Sequence, residues 1–416
     1  MRRRRYSMLA LALLAAVVAG ASSGATKPIK VSLVRKPAAT AGLRSVVSLA
    51  VRGSARPVRL TLRAQSGPTV RLVTARRITA RLYRARPTFP FAGRWKLTAL
   101  ARGRRFALGA AVVHPAPPVQ SAIPGAAATR ICRAPGAPLP QYSLAYGLGS
   151  LWVGCRQAQA AVLKVDPGSG QVRGLLDVPS VDPDALAAGV GALWVAQRSS
   201  VVARIDPRTG ATRAAVVLGS SAYVFTLGGS VWTPDDSRST LIRFTPGGQR
   251  AELAVGNGTA ALVESGSRIW IMNHRDATLE RIDLTTNAVT RLATLPGGGA
   301  PERMVLVGGS LWITGRGTDL LRVDPETGAV QQTIEIGAGG INIAAGGGSI
   351  WVFVATEADD RAGLPILDRV LRVDPATKTV AEVIRPTARV AVTGVTSDGA
   401  HVWLADTAAG RLYRFG

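Results

Sequence analysis

The chain has 416 residues, of which 47% are hydrophobic and 18% charged, so it is a globular protein too long for one small domain. Its 51 Lys and Arg against 25 Asp and Glu at first suggest a nucleic-acid binder. The distribution argues against that class, because residues 1–165 hold 28 basic and no acidic residues, whereas residues 166–416 hold 23 basic and 25 acidic ones. Two cysteines and three histidines exclude a disulfide-rich scaffold and a zinc cluster.

The amino terminus has the three parts of a secretory signal. Arg2–Arg5 form a charged start, an apolar stretch follows over Met8–Gly20, and small residues come next. We predict a signal peptide over residues 1–21 that is cleaved after Ala21, with cleavage after Ala25 or an uncleaved anchor as alternatives. No other apolar run approaches the ~20 residues of a spanning helix. The protein is therefore expected to be secreted or extracytoplasmic, without a further transmembrane span.

Residues 27–113 predict a small β-domain. Val46–Val51 and Val58–Arg63 alternate between apolar and polar residues, which is typical of half-buried strands. The segment Phe89–Thr98, with its Gly turn and Trp95 at a strand start, resembles the end of many small immunoglobulin-like sandwiches on exported proteins. This resemblance implies a β-sandwich of about 90 residues.

The predicted β-domain is strongly basic. It holds twenty Lys and Arg between Lys27 and Arg105, and arginines such as Arg59, Arg63 and Arg71 are expected on solvent-facing sides of strands. One interpretation is contact with an anionic envelope surface or polymer, with each basic residue contributing ~1 kcal/mol near an anionic membrane. The other is a solvated surface that reflects an arginine-rich coding bias. Nucleic acid is not an expected partner, since no recognition motif accompanies the charge. The Pro/Ala-rich residues 114–127 predict a semi-rigid tether.

Internal repeats dominate the rest of the chain. A tryptophan preceded by Gly-Ser-Leu or a similar phrase recurs mostly 38 to 42 residues apart, at Trp152, Trp194, Trp232, Trp270, Trp312, Trp351 and Trp403. About ten residues after most of them comes an Arg-Ile-Asp-Pro type phrase, as in Arg204–Pro207, followed by Thr-Gly. The Asp-Pro-x-Thr-Gly phrase is typical of a turn in which the carboxylate binds local backbone N–H groups.

Each repeat has the length and pattern of four short antiparallel strands, which is one propeller blade. We therefore predict an all-β fold, a seven-bladed β-propeller over residues 128–416 preceded by the small β-sandwich. The last repeat stops at Gly416 after its third strand. The stretch Ala128–Cys132 is expected to supply the missing outer strand, because pairing the two ends removes an open edge.

These repeats resemble the YVTN-type and streptogramin lyase-like propellers of bacteria over residues 128–416. The resemblance implies the propeller fold together with a binding, scaffold or enzymatic role. Streptogramin B lyases open a cyclic depsipeptide with a divalent metal such as Mg²⁺ and rely on a histidine and a glutamate. His274 and Glu302 are the residues to which that chemistry carries over here, although His274 follows a Trp strand rather than preceding a first strand. A sugar-lactone hydrolase is a further alternative and would use Asp184, Glu302 and Asn342.

The variable loops are expected on one face of the propeller. They comprise the segments before each first strand and the loops after each Trp strand. The predicted binding residues are Tyr142, Asp184, Tyr223, Asp235, Asp236, His274, Arg275, Glu302, Arg303 and Asn342. Our preferred hypothesis is a non-catalytic exported binding or scaffold protein, a monomer without a cofactor, that takes an unidentified ligand or protein on this face.

The two cysteines, Cys132 and Cys155, lie 23 positions apart in a chain that is expected to be exported. A disulfide between them would attach the closing strand to the first blade and contribute ~3 kcal/mol. Two buried free thiols are the alternative.

Overall fold

The computed structural model describes residues 28–54, 56–117, 119–131, 143–156, 160–178, 185–197, 201–217, 223–296, 301–315, 317, 319–337, 339–356 and 365–416. All regular secondary structure in these ranges is β-strand, which confirms the predicted all-β class. Within the same ranges, no helix has the length and apolar character needed to cross a membrane.

The amino-terminal domain, called the basic domain below, is an eight-stranded sheet in the order β1-β3-β6-β5-β4-β7-β8-β2. Its strands are β1 (Lys30–Leu33), β2 (Ala39–Thr40), β3 (Val47–Arg52), β4 (Leu60–Ser66), β5 (Thr69–Arg77), β6 (Leu82–Ala85), β7 (Gly93–Ala101) and β8 (Arg104–His114). β5 pairs with β4 along most of its length and with β6 only at Arg76 and Arg77. The sheet therefore folds over at this point and encloses one core.

Trp95 lies at the centre of that core. Its side chain is fully buried and contacts the rings of Phe89 and Phe91, with ring centroids 5.3 and 4.9 Å away. The indole Nε1 donates a hydrogen bond to the Phe91 carbonyl oxygen at 3.2 Å, which satisfies its polar group. Residues of β3 and β4 alternate between buried and more exposed, as the sequence pattern predicts.

The propeller has seven four-stranded blades, each ordered from the inner to the outer strand. Blade 1 contains β10 (Leu144–Gly147), β11 (Ser150–Arg156), β12 (Ala160–Val165) and β13 (Val172–Asp177), and blade 2 contains β14 (Ala185–Gly189), β15 (Ala192–Gln197), β16 (Val201–Ile205) and β17 (Thr212–Val217). Blade 3 contains β18 (Phe225–Leu227), β19 (Ser230–Asp235), β20 (Thr240–Phe244) and β21 (Arg250–Ala254), and blade 4 contains β22 (Thr259–Ser265), β23 (Arg268–Asn273), β24 (Thr278–Asp283) and β25 (Val289–Thr294). Blade 5 contains β26 (Pro301–Val307), β27 (Ser310–Gly315), β28 (Asp319–Val323) and β29 (Val330–Glu335), and blade 6 contains β30 (Gly340–Gly346), β31 (Ser349–Thr356), β32 (Ile366–Asp374) and β33 (Thr379–Ile384).

Blade 7 closes the ring with strands from both ends of the propeller. It contains β34 (Gly394–Ser397), β35 (Val402–Asp406) and β36 (Arg411–Phe415), and β9 (Ala127–Arg130) pairs antiparallel with β36 as its outer strand. The predicted closure is therefore confirmed, with the strand beginning one residue earlier than expected. This pairing protects the edge that three strands alone would leave open.

The recurring tryptophans lie between blades and face a cation on the next strand. Trp152, Trp194, Trp232 and Trp403 pair across the second and third strands with Lys164, Arg204, Arg243 and Arg414, respectively. The cationic groups lie 5.2 to 6.0 Å from the indole centroids. In these four blades the Lys or Arg of the third strand thus lies over the ring of its own tryptophan in a cation–π contact.

The segment between the two domains is not the semi-rigid tether that its composition predicts. Ala122, Ile123 and Ala126 are buried in the core of blades 6 and 7. The Ala122 carbonyl oxygen accepts a hydrogen bond from the Thr387 N–H at 2.7 Å. Small apolar residues can fit against a blade surface, so this half of the segment belongs to the propeller packing.

The basic domain docks directly on the outer strand of blade 1. Thr69, at the start of β5, is buried and its hydroxyl donates to the Leu175 carbonyl oxygen at 2.6 Å. Arg71 Nη1 donates to both carboxylate oxygens of Asp177, at 3.0 and 2.9 Å. The expectation that Arg71 faces solvent is therefore wrong, since it forms an ion pair between the domains. Arg63 is half-buried and donates to Gln65 Oε1 at 2.5 Å, whereas Arg59 is exposed as expected.

Candidate functional site

The innermost strands of the blades surround a central channel with a cavity of about 290 Å³. Small and apolar residues form much of its wall, including Ala185, Ala187, Ala260 and Ala261. Arg303 is the one charged side chain among the described residues that line it. The accessible wall is nearly as polar as it is apolar, although most of its side chains are apolar. The volume lies near the lower end of the range for small-ligand cavities.

Three predicted residues meet at one end of the channel: Tyr223 before β18, Arg303 in β26 and Asn342 in β30. The Arg303 guanidinium lies 5.6 Å from the Tyr223 ring centroid, and its Nη1 donates to the Ala260 carbonyl oxygen at 3.2 Å. Arg303 thus extends from blade 5 past blade 4 to blade 3. The Asn342 side chain is 4% exposed, and its Nδ2 has no hydrogen-bond partner within the described ranges.

The buried Asn342 amide marks this end of the channel as chemically incomplete. Burying a polar group without a hydrogen bond costs free energy, so such groups normally have partners. Nδ2 has almost no accessible surface, so an oxygen acceptor in the channel would reach it only after a rotation of the Asn342 side chain. A ligand that satisfied it would present a carbonyl, carboxylate or hydroxyl oxygen.

Asp235 is the last residue of β19 and Asp236 follows it, and the two have different surroundings. Asp235 is buried, and its carboxylate accepts hydrogen bonds from Ser237 Oγ at 2.5 Å and Arg238 Nε at 3.1 Å, as expected for a residue that holds a turn. Asp236 Oδ1 is buried and has no partner in the described part of the chain. Burial raises the pKa of the Asp236 carboxyl, while the charges of Arg275 and His274 act in the opposite direction.

His274 and Arg275 lie in the loop after β23, close enough to Asp236 to influence it electrostatically. His274 Nδ1 is 2.6 Å from the Gly258 carbonyl oxygen, which can only accept, so Nδ1 carries the proton in this contact. Arg275 Nη1 donates to Asn257 Oδ1 at 3.4 Å. Both side chains therefore contact the segment before β22, which places the two predicted loop sets side by side in blade 4.

Glu302 lies in β26 of blade 5 and is half-buried, next to Arg303 and one blade away from His274. Tyr142, Asp184 and Cys132 lie outside the described residues, so their predicted roles stay predictions. Cys155 is buried in β11 and disulfide-bonded. Its predicted pairing with Cys132 also stays a prediction. Among the described residues, no three His, Cys, Asp or Glu side chains lie close enough together to hold a metal ion.

The opposite face carries the repeated aspartate turns, and the predicted bonding is confirmed. In each turn, backbone N–H groups two or three residues later in the chain donate to the aspartate Oδ1 at 2.7 to 3.3 Å. These aspartates are Asp166, Asp206, Asp283, Asp324 and Asp374. Backbone donors, from Ser169, Arg208, Thr286 and Thr327 respectively, hold the pKa of the first four carboxyls below the ordinary value. These aspartates are structural.

Sequence reasoning missed the channel residues that lie within the first strands, namely Tyr146, Thr226 and Thr396. The signal was present in the repeat, because all three lie on innermost strands. Which residues of those strands face the channel depends on how neighbouring blades pack, and the repeat alone does not specify that.

No protein-family model and no curated protein matches the chain. Solved structures resemble it in fold. The crystal structure of BamB from Moraxella catarrhalis is 13% identical, covering 65% of this chain and 81% of that one with a TM-score of 0.48. The WD40 β-propeller domain of Doa1 is 13% identical, covering 70% and 96% with a TM-score of 0.53. A chain in the Mitotic Checkpoint Complex is 14% identical, covering 69% and 91% with a TM-score of 0.56. The last two support a β-propeller.

Proposed function

We propose that the chain is an exported, non-catalytic binding or scaffold protein. The basic domain contacts an anionic cell envelope, and the channel end with Tyr223, Arg303 and Asn342 binds a ligand or a segment of a partner protein. The observation that carries this proposal is the buried, unpartnered Nδ2 of Asn342 in the channel wall. A rigid ring that presents one such group is suited to recognition and needs no general acid or base.

The docking of the two domains supports a scaffold role. Thr69 and Arg71 attach the basic domain to blade 1, so the cationic surface and the channel keep a fixed relation. The similar chain in the Mitotic Checkpoint Complex belongs to an assembly, and we propose protein partners for this chain too. The YVTN-type character of the repeats, the immunoglobulin-like character of the basic domain and export itself belong to the same proposal.

Co-sedimentation of the full chain with isolated cell envelopes across a salt series tests the envelope contact. Retention should fall as salt rises, since the screening length shrinks from about 10 Å at 0.1 M to about 3 Å at 1 M. Arg52→Gln with Arg59→Gln, in the basic domain, should lower the salt concentration at half-retention. Arg208→Gln with Arg213→Gln removes the same charge from the propeller and should change it less. Equal effects of the two pairs, or no retention at low salt, would overturn the envelope contact.

Thermal unfolding in fractionated envelope extracts tests the channel. A fraction that contains the ligand should raise the Tm of the wild type but not that of Asn342→Leu, which keeps the side-chain size and removes the donor. Thr226→Val, elsewhere on the channel wall, is the control and should respond like the wild type. If Asn342→Leu responds fully, the ligand binds elsewhere.

A further inference from the structure

The basic domain carries a groove on the outer side of strands β7 and β8. Two adjoining cavities of about 430 and 540 Å³ share Arg94, Gly109 and Ala110, so they form one continuous depression. The β4–β5 turn with Gly67 closes one end, and Lys36 and His114 lie at the other. We call this depression the β7–β8 groove.

A bulge between the two strands shapes the groove. Arg94 pairs with Val112 and Lys96 with Ala110, but the register shifts after Leu97. Gly109 lies at that shift with a φ of 88°, a conformation that glycine adopts without strain. Trp95 and Leu97 point into the core, so Arg94 and Lys96 project on the opposite side. On one strand face they are ~7 Å apart along the backbone.

The cations of the groove are not compensated. Within the described residues, Lys36, Arg94 and Lys96 form no ion pair and no side-chain hydrogen bond. The first 165 residues contain no carboxylate side chain. Asp177 of blade 1, which contacts the basic domain, is already paired with Arg71. The groove therefore offers several free positive charges over a floor of small residues.

We propose that the β7–β8 groove binds an extended anionic polymer that carries phosphate groups along its chain. Its described lining contains no Phe, Tyr or Trp ring, and the imidazole of His114 lies only at one end, so successive nucleic-acid bases would have no row of rings on which to stack. One Arg and two Lys around a concave floor can donate to tetrahedral phosphates from separate positions. A polymer strand fits such a concave floor better than a flat bilayer surface does. This inference rests on the proposed envelope role, and it names phosphates as the anionic groups that the basic domain contacts.

The groove ends where the two domains meet. Ser66 at the end of β4 and Gly67 in the β4–β5 turn close it, and Ser66 pairs with Thr69, whose hydroxyl donates to the Leu175 carbonyl oxygen of blade 1. A polymer in the groove would thus run toward the propeller. The groove holds the ligand and the docked turn fixes the direction in which the propeller is presented.

The test uses the full chain and fluorescently labelled inorganic polyphosphate, with affinity measured by anisotropy across a salt series. Arg94→Gln with Lys96→Gln should weaken binding about tenfold or more and reduce the salt dependence by about two ion equivalents. The control, Arg104→Gln with Arg105→Gln, removes the same charge from the neighbouring strand β8 outside the groove and should weaken binding less than about threefold.

A steric pair of variants separates shape from charge. Ala110→Trp fills the groove floor without changing charge and should also weaken binding, whereas Ala107→Trp on the same strand lies outside the lining and should not. Unfolding curves show whether each variant is folded. Equal loss in the groove and control variants would overturn the groove in favour of diffuse charge.

Two further probes test the ligand class. Polyglutamate that binds as tightly as polyphosphate would overturn the preference for phosphate, and tighter binding to phosphatidylglycerol vesicles would replace the polymer with a bilayer. The two proposals fail in different ways. Envelope retention that is insensitive to Arg94→Gln with Lys96→Gln leaves the envelope role and removes the groove. Polyphosphate binding that depends on the groove, in a protein that is not retained by envelopes, would keep the groove and remove the envelope role.

Discussion

The arginines of the basic domain and those of the propeller have opposite surroundings. In the propeller, many of them contact a carboxylate or an indole: Arg268 and Arg281 share the carboxylate of Glu326 at 2.5 and 2.6 Å, and Arg243 lies 5.2 Å from the Trp232 ring centroid. In the basic domain there is no acidic partner, and Arg71 has to reach Asp177 on blade 1 to find one.

This difference teaches that arginine content alone does not indicate function. An arginine that is paired or stacked is part of the structure, and one that is exposed without a carboxylate within reach is available to a partner. The contrast locates the free positive charge on the basic domain. Substitutions of charged and of packed groups should therefore affect the two regions differently.

The largest expected effect is in the propeller core. Trp232→Ala removes a fully buried indole and the surface against which Arg243 packs, so it should lower the free energy of unfolding by about 3–5 kcal/mol. Leu72→Ala in the basic domain, where the side chain is 61% exposed, should stay within about 0.5 kcal/mol. Urea unfolding measures both. A small loss for Trp232→Ala would show that the repeated tryptophans do not hold the blades together.

The next largest loss of stability is expected where blades 1 and 2 approach each other closely. A Cβ added to Gly147 would lie 1.9 Å from the Ala188 carbonyl oxygen of blade 2, so Gly147→Ala should cost about 1–3 kcal/mol. Gly174→Ala in the outer strand β13 is the matched control, because its Cβ would meet Lys164 Cβ at an ordinary 3.6 Å. Equal unfolding midpoints for the two variants would contradict the close approach of blades 1 and 2.

The domain contact should have a smaller effect. A double-mutant cycle of Arg71→Ala and Asp177→Ala is expected to give a coupling of about 1 kcal/mol, since both side chains keep partial solvent exposure. The same cycle on Arg250 and Glu252, which form an exposed pair within β21 of blade 3, should give less. Absence of coupling between Arg71 and Asp177 would mean that the ion pair does not hold the domains together.

Acid should affect the propeller more than the basic domain. Backbone donors lower the pKa of four turn carboxyls in the folded state, those of Asp166, Asp206, Asp283 and Asp324. These carboxylates therefore stabilise the fold at a pH above their unfolded pKa. That contribution is lost as the pH falls below about 4. Burial raises the pKa of Asp236 and Asp406, which opposes this trend. Since the basic domain contains no carboxylate side chain, its own packing should respond little over this range.

Stability measured from pH 6 to pH 3 checks this prediction. Asp206→Asn should be slightly less stable at pH 6 and should lose less on acidification than the wild type, because the titrating group is gone. Asp319→Asn, outside the repeated turns, serves as the control. An unchanged pH profile in Asp206→Asn would show that the turn carboxylate does not contribute.

Sequence patterns predicted the propeller well because its information is local and repeated. The Trp phrases mark each second strand, and the Asp turns mark the connection between the third and fourth strands. The same repeat pattern predicted that Tyr223, Arg303 and Asn342 lie at the channel. It did not predict which atoms these side chains contact, because the unpartnered Asn342 amide depends on how the channel wall packs.

The amino-acid sequence by itself determined the all-β class, the number of blades, the closing strand and the separation of charge, because strand periodicity, turn residues and composition act over short distances. Only the tertiary structure decided that Ala122 and Ile123 pack on the propeller and that Arg71 pairs with a residue 106 positions away. It also decided that a bulge at Gly109 turns two exposed cations into the side of a groove. These features depend on the register and docking of segments that are distant in the chain, and such contacts leave no periodic trace in the sequence.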